Sequence, residues 1–130
     1  MFNIIAVDIS GRHKIDDYYL MVCAAVAASV TPDHVEKVNQ VNIRSFRTDS
    51  APDVLMVVKM IEETVSEMHF EGTVVTEPGD MYNRPQWIID SMFSVDFKYE
   101  ESLSERRCME IAHHVSLGAR KLLLRELDIQ

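Results

Sequence analysis

The chain has 130 residues, 47% hydrophobic and 26% charged, which excludes a disordered polypeptide and suits a single folded domain spanning residues 1–130. Lysines and arginines number 13 against 21 aspartates and glutamates, giving a formal charge of −8; that balance argues against a passive basic clamp on nucleic acid and leaves room for an acidic site that holds a cation. Two cysteines, Cys23 and Cys108, lie in apolar segments and read as buried thiols of a reducing compartment rather than a disulfide scaffold.

Phe2 to Ile9 is rich in β-branched residues and predicts a buried strand that ends at the Ser10-Gly11 turn. The polar stretch from Gly11 to Asp17 suits a hairpin loop. Tyr18 to Ser29 predicts a long second strand covered on both faces, because it lacks a polar side. The apolar run from Tyr18 to Val30 is shorter than the roughly 20 residues of a transmembrane helix. The chain is therefore expected to be cytoplasmic, with no membrane partner. Thr31-Pro32-Asp33 has the grammar of a helix start and predicts a short helix to about Val38. Gln40 to Arg47 alternates and predicts an edge strand.

Ser50-Ala51-Pro52-Asp53 opens a second helix with a hydroxyl cap and an early proline. Its apolar positions Val54, Leu55, Val58, Ile61, Val65 and Met68 recur at helical spacing, and it stops near His69. Gly72 to Glu77 predicts the fourth strand, closed by Pro78-Gly79. Pro85 to Phe93 predicts a short helix and Ser94 to Tyr99 a fifth strand. Ser104 starts the last helix, which runs to about Leu127 with a stripe of Cys108, Ile111, Ala112, Val115, Ala119, Leu122 and Leu123. The fold class is α/β.

This order, with Ala6-Val7-Asp8-Ile9-Ser10-Gly11 and Tyr19 to Ala27 as an opening hairpin, resembles the ribonuclease H-like superfamily. The resemblance implies a mixed five-stranded sheet in strand order 3-2-1-4-5, with helices on both faces. It further implies a carboxylate set that binds Mg²⁺ or Mn²⁺ and cleaves phosphodiesters. By position in the pattern, the set falls on Asp8, on Asp53 early in the helix after the third strand, on Glu77 at the end of the fourth strand, and on Glu110 near the start of the last helix. Glu105 competes with Glu110 for the last place. The chain also resembles small archaeal proteins of unknown function.

The residues themselves leave alternatives open. An acid in an apolar central strand needs a partner or a metal, yet Asp8 could instead cap the Ser10-Gly11 turn. Asp53 is also accounted for by helix N-terminal electrostatics. Glu77 could be an exposed loop acid and Glu110 a solvated one. His113 and His114 sit three and four residues after Glu110, so one could share its face and shuttle protons; a surface pair is the alternative. Arg12, His13, Lys14, Arg44, Arg47, Arg84, Arg106 and Arg107 could contact a phosphate backbone, or be scattered solvated charge. Trp87, Tyr82 and Phe93 read as packing residues. No phosphate loop, dinucleotide fingerprint, paired Cys-x-x-Cys or serine-hydrolase elbow occurs in the sequence. Two function classes follow: a metal-dependent nuclease or phosphodiester hydrolase acting on nucleic acid, and a catalytically inactive binding or assembly module that forms a homodimer through an edge strand or the last helix.

Overall fold

The computed structural model describes residues 1–127. Its strands are β1 (Phe2–Ser10), β2 (Lys14–Ile15), β3 (Tyr18–Val30), β4 (Val35–Thr48), β5 (Thr73–Thr76) and β6 (Phe97–Tyr99). The helices are α1 (Val54–Ser66), α2 (Gln86–Asp90) and α3 (Leu103–Glu126), and Pro78–Met81 forms a 3-10 turn. The sheet is mixed. β3 pairs antiparallel with both β1 and β4, while β1–β5 and β5–β6 are parallel. The short β2 pairs with the first residues of β3.

β1 is central, and its alternation explains the two-sided core. Ile5, Val7 and Ile9 join Met21, Cys23, Ala25 and Ala27 of β3 against Val57, Val58 and Ile61 of α1. Ile4 and Ala6 face the other way, with Val26, Ala28 and Val75, onto Cys108, Met109 and Ala112 of α3. Successive strand side chains point to opposite faces, so a run apolar at nearly every position fits a sheet covered on both sides. The small side chains Ala24, Ala25 and Ala28 of β3 are fully buried.

Residues 31–38 do not form the expected helix. Thr31 N–H donates to the His34 carbonyl at 3.0 Å, and Thr31 Oγ1 donates to Asp33 Oδ1 at 3.0 Å. Thr-Pro-Asp is turn chemistry as much as cap chemistry, and here it joins β3 to β4 in a tight hairpin. β4 begins at Val35, opposite Val30, and is kept in step by irregularities at Ala27/Ala28 and Ser29/Val30. The edge strand is thus longer than Gln40 to Arg47.

Helix α1 starts later than the Ser50 signal suggests. Asp53 itself is the cap, accepting from Met56 N–H at 2.8 Å. Helix α3 opens with a reciprocal cap: Ser102 Oγ accepts from Glu105 N–H, and Glu105 Oε1 accepts from Ser102 N–H. Its buried face is Ser104, Glu105, Cys108, Met109, Ala112 and Ser116. Leu122 of the expected stripe is exposed. Trp87 is also not a packing residue: it is 75% exposed, while Ile89 of the same short helix is buried. Among the described residues no helix is long and apolar enough to cross a membrane.

Candidate metal centre

The pleat of β1 that turns Ile4 and Ala6 toward α3 carries on to Asp8 and Ser10. Both are buried, and both meet one residue of α3. Ser116 Oγ donates to Asp8 Oδ2 at 2.6 Å and lies 2.7 Å from Ser10 Oγ. A hydroxyl has one proton to give; with Ser116 donating to the carboxylate, Ser10 donates to Ser116. His113, one turn earlier, places Nδ1 3.3 Å from the same Asp8 oxygen.

Parallel pairing of β1 with β5 matches Ala6 to Val75. Continuing that register by two residues sets Glu77, just past β5, beside Asp8. The chain then enters the 3-10 turn, where residues three apart stack above one another; Asp80 follows Glu77 by three. Asp8, Glu77 and Asp80 each offer a carboxylate oxygen, and these oxygens lie within 4.8 Å of one another.

Arg12 braces the turn that carries Asp80. Its guanidinium donates to the Asp80 carbonyl at 2.8 Å, to the Gly79 carbonyl at 3.2 Å and to Asp80 Oδ1 at 3.1 Å. It also stacks 5.0 Å over the Tyr82 ring. Tyr82 adopts φ +54°, a left-handed conformation that an aromatic residue rarely takes. Its hydroxyl is anchored on the Pro52 carbonyl, which holds it there.

The electrostatics of the cluster are unbalanced. Three carboxylates face one guanidinium. Burial, then the charges of Asp8 and Glu77, push the Asp80 carboxyl up to about 8, against the opposing pull of Arg12. Asp80 Oδ2 is buried and has no hydrogen-bond partner. A buried carboxylate oxygen without a donor is costly, and a bound cation would satisfy it. The all-oxygen donor set fits a hard divalent ion such as Mg²⁺ or Mn²⁺.

A cleft of about 350 Å³ lies beside the cluster, lined by Glu77, Glu100, Arg106, Met109, Glu110, His113 and His114. Burial, and then Glu77, raise the Glu100 carboxyl above its usual range.

Of the four acids expected from the sequence, the structure brings Asp8 and Glu77 together. Asp53 is not in the cluster; its carboxylate caps α1. Glu110 shares the cleft with Glu77 but pairs with Arg107 at 3.5 Å and is exposed. Glu105 is occupied elsewhere: its Oε2 lies 3.0 Å from Lys98 Nζ, and its Oε1 accepts backbone N–H groups of Glu101 and Ser102. Asp80, Ser10, Ser116 and the bracing role of Arg12 were missed. The Glu77-Pro-Gly-Asp80 spacing was the available signal for Asp80, hidden because Pro78-Gly79 reads as a plain strand stop. Several basic residues have other partners: Arg44 pairs with Glu63 and Glu67, and Arg47 covers the Tyr18 ring. Arg106 faces the cleft.

Residues 5–124 match the family described as "Uncharacterized protein conserved in archaea (DUF2209)". The chain belongs to this family. It is similar to the uncharacterized protein MJ0095 of Methanocaldococcus jannaschii, 32% identical over 125 residues, covering 93% of this chain and 96% of that protein. Its fold is similar to a chain in the cryo-electron microscopy structure of the simian T-cell lymphotropic virus intasome in complex with PP2A regulatory subunit B56 gamma. That likeness has a TM-score of 0.55 at 10% identity, and covers 95% of this chain and 40% of the other. At that identity it bears on architecture alone.

Proposed function

We propose that this domain is a divalent-cation-dependent phosphodiester hydrolase of ribonuclease H-like architecture, with Asp8, Glu77 and Asp80 as the cation-holding acids and nucleic acid as the substrate class. One observation carries the reading: an aspartate buried in the central strand is joined by two acids about 70 residues away, one of them with an orphaned oxygen. Converging acids repel one another and raise Asp80 toward its protonated form, and a cation bound among them would relieve that repulsion. The β4–β3–β1–β5–β6 pairing supports the architecture.

In this reading the chain's own residues have distinct tasks. Ser116 fixes the rotamer of Asp8 by donating to its Oδ2, and Ser10 holds Ser116 in place, which leaves Oδ1 for the centre. Arg12 fixes the turn that carries Asp80. Arg106 presents a guanidinium suited to phosphate oxygens at the cleft wall, and His113 and His114 line the same wall. A bound divalent cation would supply Lewis-acid stabilisation and an acidified water. Asp53 and Glu110 are assigned no ligand role.

The test is cleavage of RNA, DNA and hybrid oligonucleotides with Mg²⁺ or Mn²⁺, beside Asp8→Asn. Cation-dependent cleavage that disappears in the variant is expected. Cleavage untouched by Asp8→Asn removes the site from the mechanism.

A second reading, a silent assembly module that forms a homodimer, draws on β4. Val38, Val41 and Ile43 are exposed there, on the sheet face shared by Ala28, Val26 and Ala24. Light scattering decides it: a monomer at high concentration removes this reading.

A further inference from the structure

We propose that the exposed ridge of α3 is a docking track for the phosphate backbone of a nucleic acid strand, carried by basic pairs that recur every seven residues and pass over the carboxylate centre. This rests on the reading of Asp8, Glu77 and Asp80 as a phosphodiester-cleaving site and goes further by naming the surface that holds the strand on either side of the cut.

Five of the chain's 13 lysines and arginines lie on α3. Four of them form Arg106-Arg107 and Arg120-Lys121, with His113-His114 midway, so the pairs repeat at intervals of seven. Seven residues make nearly two turns, drifting only about 20°, and the pairs therefore stack along one side of the helix about 10 Å apart. Contacts fix where that side lies. His113, in the middle, is 3.3 Å from Asp8 Oδ2. Arg106 lines the cleft beside Glu77. In the other direction, Arg120 Nε donates to the Leu20 carbonyl at 2.9 Å, next to Gly11 beyond the end of β1. Arg120 is half-buried; the other five residues of the pairs are exposed. The acids of α3 leave the ridge largely clear. Glu105 is buried against Lys98, and Glu110, the one acid between the pairs, is matched by Arg107.

Gly118 supplies an independent sign. It is exposed within α3, with open space where a side chain would stand, and glycine there destabilises a helix relative to alanine. Neither packing nor a positive φ asks for it. One turn from both His114 and Lys121, it leaves the ridge low, so that a ligand can approach the helix backbone closely.

A line of basic pairs that crosses an acidic centre and runs into a cleft suits a linear polyanion, one phosphate of which meets a cation at that centre; a flat membrane cannot follow it into the cleft. Arg106 to Arg120 spans about 21 Å, the advance of about six nucleotides at roughly 3.4 Å each in a duplex strand.

The test is fluorescence anisotropy of the whole chain with labelled RNA and DNA of twelve nucleotides, single-stranded and duplex, in chelator and in Ca²⁺, across a salt series. Log affinity should fall against log salt by about 0.7–0.9 per phosphate contact. Lys121→Gln should lower that slope by about one and the affinity about threefold, and Arg107→Gln combined with Lys121→Gln should lower the affinity about tenfold. Lys59→Gln, on α1 across the sheet, should do neither. Gly118→Leu should unfold at the same or a higher temperature yet lose affinity. No binding in either condition, a loss in Lys59→Gln equal to that in Lys121→Gln, undiminished binding by Gly118→Leu, or equal binding of polyglutamate or anionic vesicles overturns the track. Such a result beside cleavage that depends on Asp8 leaves the carboxylate centre standing. Binding that follows the ridge variants without any cleavage sinks the hydrolase reading and leaves the docking surface.

Discussion

Replacing Asp80 with asparagine keeps its shape and removes its charge, and the consequence depends on pH. In the metal-free fold the Asp80 carboxyl is raised to about 8, chiefly by burial and then by Asp8 and Glu77, whereas in the unfolded chain it ionises near 4. Between those values the folded state holds a proton that the unfolded state has released. Stability is therefore fully present below about pH 4 and lost as pH rises toward 8. One proton corresponds to about 1.4 kcal/mol per pH unit, so from pH 5 to pH 7 Asp80→Asn should gain about 3 kcal/mol on wild type. For a domain of this size that is about 10 °C in melting temperature. Any fixed offset, such as the weakened contact with Arg12, cancels when the slopes of the two proteins are compared. Chemical denaturation in chelator at several pH values measures it. With Mn²⁺ at a hundred times its dissociation constant, wild type should gain about 2.7 kcal/mol, and the variant should lose most of that response. A wild-type-minus-variant difference that stays flat across the range would refute the reasoning, because it would mean that the Asp80 carboxyl is not held in a buried space beside the charges of Asp8 and Glu77.

Three further outcomes follow from the same geometry. Gly11 has φ +99°, and an added Cβ would collide with the Leu20 carbonyl and the Arg120 guanidinium; Gly11→Ala should destabilise by about 1–3 kcal/mol in urea unfolding. Ser116→Ala withdraws the donor to Asp8 and the acceptor for Ser10, so a loss of about 1–3 kcal/mol is expected, together with weaker Mn²⁺ binding in calorimetry; unchanged values for both would show that Asp8 is positioned without it. Burial raises the Glu105 carboxyl, but its backbone donors Ser102 and Glu101 and its partner Lys98 outweigh that and hold it below the ordinary range. Its contribution is present above about pH 4.5 and lost as pH falls through the folded value, so Glu105→Gln should narrow its stability gap from wild type on acidification in the same assay.

The elements were largely legible from local pattern. The apolar run of β1, the spacing of α1 and the stripe of α3 each reflect a periodicity that burial imposes on a single segment. The error at residues 31–38 was equally local, since threonine, proline and aspartate suit a turn as readily as a helix start, and only pairing with Val30 decides between them. Asp8 was marked by its apolar neighbours and Glu77 by its place at a strand end. Asp80 was hidden because its partners are distant in sequence and its own neighbours read as punctuation.

The sequence by itself determined the class of fold, the acidic balance and the buried aspartate at the heart of the central strand, because burial writes a period into each segment. Only the tertiary structure decided which acids meet, since convergence depends on the β1–β5 register and on the turn that Arg12 holds. It gave Asp80 a place beside Asp8, left Asp53 as a helix cap, and set Ser116 and His113 of α3 against a carboxylate more than a hundred residues away.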